Sequence, residues 1–425
     1  MKWSRRAFIK GSALAAFAST LGGVPAFVLK AAAEQSKRNP GIGAKRKILV
    51  CIFQRGAMDG LQAVQPIDDP FLRKVRPDLL VPATGDNRLI ELDGRFGLNP
   101  LFRSFAPLFK EGRMAVVHGI GSPVPNRSHF DAQDYMENGT PGKKSTASGW
   151  LNRAVGLLGH EGTPFQAVSM TSATPKSLYG DAYALTIENL DDLKIAEGNV
   201  SSVTNQGFEA LYRQTTQEII QNTGTVSLDA VKILEEARVK SITPFVGAAY
   251  PGTPLGLALQ QIAQLIKGGV GLEVAFAESN GWDTHSRQST QFGGFTRNAR
   301  DLSGSIAAFW KDIERYQDEV VVMTMTEFGR TVEQNGSLGT DHGRGSCMFV
   351  LGNAVDGGRI YGEVPELAFE NEEVKFSCFY RAAAECGGDF LYHSFHDSVF
   401  RIWFGDVTGH GVGPSLRKSG CFCHG

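Results

Sequence analysis

The residues best suited to chemistry in this 425-residue sequence follow directly on its most apolar runs. Behind "ILVCIF" comes "QRGAMDGL", with Arg55 and Asp59. Behind "RMAVVHGI" comes "GSPVPNRSHFDAQ", with Ser122, Arg127, Ser128, His129 and Asp131. Behind "GLEVAFAE" comes "SNGWDTHSR", with Asp283 and His285. Behind "DEVVVMTM" comes "TEFGRTVEQNGSLGTDHGRG", with Glu327, Arg330, Asp341, His342 and Arg344, and four glycines between Glu327 and Arg344. Carboxylates and imidazoles gathered at one place are the donor set of a divalent metal. Zn²⁺ takes His with Asp or Glu, while Mg²⁺, Ca²⁺ and Mn²⁺ lean to oxygen. The ligand candidates are Asp59, Asp283, His285, Glu327 and His342. Asp341 is a further ligand, or the residue that orients His342 from behind. One ion or two would suit. Two ions about 4 Å apart clamp the attacking and leaving oxygens of a phosphoryl or sulfuryl transfer. Ser128 is the first candidate for a nucleophile and Ser122 the second. Arg330 and Arg344 offer forked donors to an oxyanion.

The same residues have plainer uses. Asp59 and Ser128 stand where helix N-caps belong. His129 would then be a surface residue of a first helical turn. Glu327 and Arg330 would form a surface ion pair of little energetic worth. His118 reads as a strand-end histidine satisfied by its neighbours. His393, His396 and Asp397 sit in "LYHSFHDSVF", which reads as an amphipathic helix.

The elements that must position these residues alternate between two periodicities. Short continuous apolar runs are strands buried on both faces of a parallel sheet. Leu101, Phe105, Leu108 and Phe109 have helical spacing, "DAQDYMENG" stops on Gly139, and a long helical pattern fills Thr296 to Tyr316. Strands alternating with helices predict a mostly parallel sheet with helices on both faces. Ligands of such sheets bind beyond the carboxyl ends of the strands, which is where all four loops lie. Residues about 195–268 show helical patterns without a strand and read as a helical insertion packed beside the sheet.

The N-terminus has an address rather than a fold. Arg5 and Arg6 follow Ser4, a mildly apolar run spans Gly11 to Leu29, and small residues stand at Ala31, Ala32 and Ala33. These are the parts of a twin-arginine export signal, residues 1–33, with a polar linker over 34–46 and one domain over 47–425. Cleavage there strips Lys2, Arg5, Arg6, Lys10 and Lys30 and no acid, so the mature chain is more acidic than the formal net charge of −1. That balance gives no reason to expect nucleic acid as a partner. The glycines, Ser19, Thr20 and Pro25 weaken the leader as a bilayer span, and no other run is long enough to be one. The expected place is the periplasm or beyond, reached folded through the twin-arginine translocase, a route typical of proteins that load a cofactor first.

Of six cysteines, Cys51 and Cys347 lie in apolar runs and read as small core residues. Cys378 and Cys386 are free to pair in an oxidising compartment. Cys421, Cys423 and His424 in the tail "GCFCHG" could bind a metal, pair or do nothing.

Taken in order, "RGAMDGL", "NRSHFDAQ", "GWDTH", "EFGRT" and "TDHGRG" behind a twin-arginine leader resemble an exported bacterial family, that of domain of unknown function 1501. That family is more distantly similar to the alkaline phosphatase and sulfatase superfamily. The resemblance implies an alkaline-phosphatase-like α/β core with strand-end Asp and His holding metal beside a nucleophile. Asp283 and His285 match the superfamily's mid-chain ligand pair, and His342 its late histidine. Glu327 stands where an Asp-His pair is usual, and Phe328 follows it. Gln54 occupies the place of the first Asp, with Asp59 the nearest carboxylate. The function so implied is a metal-dependent hydrolase of a phosphate or sulfate ester, acting on a small anionic ester or a sulfated or phosphorylated polymer. The alternative is a periplasmic binding or scaffold protein that keeps the fold without the reaction.

Overall fold

The computed structural model describes residues 47–124, 126–158, 160, 162–192 and 230–362, and the backbone of three strands nearer the C-terminus. The predicted leader and linker, Cys378, Cys386 and His424 lie outside the described residues. In chain order the strands are β1 (Ile48–Gln54), β2 (Val64–Pro66), β3 (Ile90–Glu91), β4 (Phe96–Leu98), β5 (Met114–Ile120), β6 (Ala167–Ser169) and β7 (Leu185–Thr186). Then come β8 (Val274–Ser279), β9 (Val320–Met325), β10 (Arg330–Gln334), β11 (Thr340–His342), β12 (Ser346–Leu351) and β13 (Arg359–Tyr361).

Eight of them form the central sheet in the order β13-β5-β12-β9-β1-β8-β6-β7. Every neighbouring pair is parallel except those made by β12, which runs antiparallel to both β5 and β9. The fold is therefore α/β with a mostly parallel sheet, as its sequence pattern predicts. β1 lies in the middle, between β8 and β9. Its alternate residues serve different cores. Val50 and Ile52 join Phe349, Leu259 and Phe309 on one face, and Cys51 and Phe53 join Phe276, Met323 and Trp150 on the other. Two covered faces explain why the strand is apolar at both parities. Cys51 and Cys347 are buried free thiols, and burial raises both pKa values.

The helices on the first face are Pro254–Gly268 and Gly294–Asp312, and they pack on each other. The earlier helix has Thr253 accepting from the Gly256 amide, Pro254 in its first turn and Gly269 at φ 65° behind its end, the ordinary start and stop signals. The later one buries Phe295, Ala299, Leu302, Ile306 and Phe309, a helical stripe. Of the region read as a helical insertion at about 195–268, residues 193–229 lie outside the described residues. Its last helix, Pro254–Gly268, docks on β8 as a layer of the core. No helix among the described residues is long and apolar enough to cross a membrane.

One local expectation changes. "LYHSFHDSVF" is not helical: β14 (Asp389–His396) pairs antiparallel with β15 (Val399–Asp406), and β15 with β16 (Ser419–Cys423). Aromatic residues at Phe390, Tyr392, Phe395 and Phe400 favour a pleated strand over a helix. His393 and His396 thus lie on a strand, and Asp397 lies outside the described residues. Cys421 and Cys423 fall within β16.

Gln54, at the end of β1, is fully buried, and neither atom of its side-chain amide has a hydrogen-bond partner among the described residues. A buried amide without partners costs about 1–3 kcal/mol. Gln54→Leu is accordingly expected to raise the unfolding free energy by about that amount, read as a higher urea midpoint at unchanged slope. A lower midpoint would show that the amide is partnered.

Candidate metal centre

The carboxyl ends of β1, β8 and β9 meet at one edge of the sheet, and the loop after β5 and the β10–β11 hairpin close over it. The closure is tight. Gly56 follows β1 at φ 114°, and a Cβ there would lie 2.4 Å from the Asp283 amide nitrogen. Gly339, in the hairpin turn, would place a Cβ 2.3 Å from the His285 carbonyl carbon. The lack of bulk in this loop therefore lets the hairpin backbone lie directly on the segment that carries Asp283 and His285.

Three imidazoles and one carboxylate converge there. His342 Nε2 lies 3.0 Å from His129 Nε2, 2.9 Å from His285 Nε2 and 3.3 Å from Asp283 Oδ1. Asp283 Oδ1 is also 3.0 Å from His285 Nε2 and 3.4 Å from His129 Nε2. His129, Asp283 and His342 meet the distance condition for holding a common ion.

The far nitrogen of each ring is spoken for. His129 Nδ1 is 2.8 Å from Glu327 Oε1, His285 Nδ1 is 3.0 Å from Asp341 Oδ1, and His342 Nδ1 is 2.8 Å from the Arg127 carbonyl oxygen. A carbonyl and two carboxylates only accept, so each neutral ring carries its proton on Nδ1. In that tautomer the Nε2 lone pairs of His129 and His342 face each other at 3.0 Å beside Asp283 Oδ1, while His285 Nε2 also has Arg330 Nη1 at 3.5 Å. A cation at the centre would relieve the repulsion between the lone pairs. A tetrahedral zinc site with bonds of about 2.0–2.1 Å has ligand separations of about 3.3–3.4 Å. His129, Asp283 and His342, 3.0, 3.3 and 3.4 Å apart, come close to that set.

The surrounding charges are built in. Glu327 is fully buried and accepts from the Gly56 amide at 2.8 Å and Gln133 Nε2 at 3.0 Å as well as from His129. Burial works against its charge, but the His129, Gln133 and backbone hydrogen bonds prevail and lower its pKa. The same Glu327 hydrogen bond raises the His129 pKa, while burial lowers that of His342. The His285 hydrogen bond lowers the pKa of Asp341. Burial opposes ionisation of Asp283 too, yet its bond to Arg330 and the positive charge there bring it down to about 2.

The sequence-predicted residues divide accordingly. Asp283, His285 and His342 are in the cluster. Glu327 and Asp341 stand behind it, each holding one ring; Asp341 orients His285, not His342. Asp59 does not join. It caps the short helix after it by accepting from the Gln62 amide, and both its oxygens take hydrogen bonds from Arg76 Nη1, at 3.1 and 2.9 Å. Arg330 is no surface clamp. Its buried guanidinium donates to the Gly56, Ala57, Trp282 and Thr340 carbonyls and to Asp283 Oδ1 at 2.6 Å. Arg344 is partly exposed, and burial together with the nearby Arg127 charge lowers its pKa. Ser128 occupies the N-cap position of the helix His129–Asn138 without capping it through its side chain. His118, buried, pairs with the Val64 carbonyl and the Gly119 amide, and burial lowers its pKa to about 4.

His129 is the member of the cluster that sequence reasoning missed. It is the first residue of its helix, and its ring packs against Phe328 and His342. The available signal was position: it belongs to the loop-and-helix start that follows a strand end, like the other ligands.

Among solved structures, the chain resembles a protein of the alkaline phosphatase superfamily from Vibrio parahaemolyticus, with 10% identity, 92% of this chain and 86% of that one covered, and a TM-score of 0.32. It also resembles the PsFucS1 sulfatase from Pseudoalteromonas sp., with 12% identity, coverage of 80% and 70%, and a TM-score of 0.34. A third likeness is to the C-terminal periplasmic domain of EcEptC from Escherichia coli in complex with Zn, with 9% identity, 73% of each chain covered and a TM-score of 0.31. A search of curated proteins finds no match. The family model described as protein of unknown function (DUF1501) matches residues 115–380, well over half of the sequence, and the chain belongs to that family.

Proposed function

We propose that this protein is an exported metal-dependent hydrolase of a phosphate or sulfate ester. The observation that carries the reading is the set of converging donors, His129 and His342 Nε2 with Asp283 Oδ1 and His285 Nε2 beside them, at the carboxyl edge of the sheet. The side chains of Asp283 and His285 are 47% and 44% exposed, so the cluster opens to solvent instead of being sealed in the core. A divalent ion held there supplies Lewis acidity toward an ester oxygen.

The chain's own residues do the rest. Asp283 is kept anionic by Arg330, and Glu327, Asp341 and the Arg127 carbonyl keep the three rings aimed inward. The Arg127 and Arg344 charges lie close enough to act on each other, and their backbones flank the cluster through the Arg127 carbonyl and His342, which favours an anionic substrate. Ser128 stands between Arg127 and His129 and is the candidate for the attacking hydroxyl. Export through the twin-arginine translocase is proposed from Arg5 and Arg6 and the leader around them.

The test is hydrolysis of aryl phosphates and aryl sulfates by the metal-loaded mature protein. Turnover that falls at least about 100-fold in His342→Ala, matching several kcal/mol of Lewis-acid stabilisation, supports the reading. The second reading, a binding or scaffold protein, is favoured by one observation: β1 ends on buried Gln54, an uncharged amide where the resemblance expects a ligand carboxylate. Tight metal binding without turnover on either substrate class would select it.

A further inference from the structure

We infer that the centre takes a single divalent ion of the nitrogen-preferring transition series, such as Zn²⁺, that His129 is one of its ligands with Asp283 and His342, and that no second ion binds beside it. The inference rests on the metal-dependent part of the proposed function and is independent of its hydrolytic part.

The imidazole nitrogens of His129 and His342 with the Asp283 carboxylate suit Zn²⁺ and its neighbours; Mg²⁺ and Ca²⁺ select oxygen sites. A second ion needs its own anionic donors, and the candidates are committed elsewhere. Asp59 faces Arg76, Gln288 Nε2 and the Gln62 amide. Glu327 Oε1 already accepts three hydrogen bonds. Gln54 brings an amide, without charge, to the end of β1. Phe328 is buried and lays its ring against His129 and His342, with centroids 4.9 and 5.1 Å away, so that flank of the ligand set is an apolar wall.

Charge gives the same answer. Arg330, a fixed cation, already lies 2.6 Å from Asp283 Oδ1 and 3.5 Å from His285 Nε2, which disfavours a second positive ion beside the first. Arg127 and Arg344 nearby weigh further against a second cation.

The experiment is native mass spectrometry of the folded mature protein, stripped with chelator and titrated with Zn²⁺ alone, then with Mg²⁺ or Ca²⁺ in 1000-fold excess over Zn²⁺. One equivalent of Zn²⁺, retained against that excess, is expected. Co²⁺ in its place should give the strong visible absorption of a four-coordinate ion. His129→Ala and the milder His129→Gln should each weaken Zn²⁺ binding by at least about 100-fold, since even the outer partners of ligands are worth about 10–100-fold. Circular dichroism would confirm that both variants fold. Two equivalents, displacement by Mg²⁺ or Ca²⁺, or unchanged affinity in the folded His129 variants would overturn the inference. One tight equivalent without ester turnover would leave it standing while removing the hydrolase. Two equivalents with turnover would do the reverse.

Discussion

Arg76→Met is expected to lower the free energy of unfolding by about 3–5 kcal/mol, the usual cost of removing one partner of a buried ion pair. The side chains of Arg76 and Asp59 are 1% and 2% exposed. The guanidinium spends its other donors on the Thr331 and Val332 carbonyls of β10. The substitution therefore strands a carboxylate and two carbonyl oxygens at once. Gln288 Nε2 at 2.9 Å and the Gln62 amide at 3.0 Å remain on Asp59 but bring no compensating charge. The double variant Asp59→Leu with Arg76→Met should recover only part of the loss. It removes the stranded charge but leaves Gln288 and the β10 carbonyls short of partners. Urea denaturation of the two single variants and the double variant checks this. A loss under 1 kcal/mol on removing Arg76 would mean that Asp59 is not held as an anion by this pair.

Glu327→Gln is expected to weaken metal binding by about 10–100-fold while leaving the candidate ligands in place. The amide has nearly the shape of the carboxylate, so packing is kept. Glu327 accepts from Gly56, His129, Gln133 and Thr326 and donates to none of them. An amide must turn one NH₂ toward a donor, and His129 loses the charge that fixes its Nδ1–H tautomer. Zn²⁺ titration of the variant beside His342→Ala separates the two roles. Affinity equal to that of the unaltered protein would show that Glu327 does not orient His129. A loss as deep as that of His342→Ala would show that Glu327 binds the ion itself.

The fold and about half of the site could be read from the residues. Strands such as β1 and β9 are apolar at both parities, and only a strand covered on both faces has that composition. Asp283, His285 and His342 could be found because they follow such strands. Asp59 looked equally placed, but its fate depends on Arg76, 17 residues along and past a helix, which no periodicity connects to it. Arg330 looked like an anion clamp because a guanidinium offers forked donors to an oxyanion. Its actual partners are mostly backbone carbonyls, which carry no signature in the side-chain sequence. His129 hid behind a sound local reading, since the first turn of a helix after a Ser is usually solvated. What overrides that reading is the tertiary approach of the β10–β11 hairpin.

The ligands come from segments far apart along the chain. His129 and His342 are separated by 213 positions, His129 and Glu327 by 198, and Asp283 and His342 by 59. Closing such loops is among the slower events of folding, because chain entropy is lost before the contacts form. An ion bound there would not nucleate this fold as it does in a small zinc finger. It would meet a finished binding site only after the central strands have paired, and would stabilise by mass action on the native state. Its kinetic signature is then slower unfolding with the refolding rate nearly unchanged. A chain that crosses a membrane already folded would have its metal chosen by the compartment in which the sheet closes.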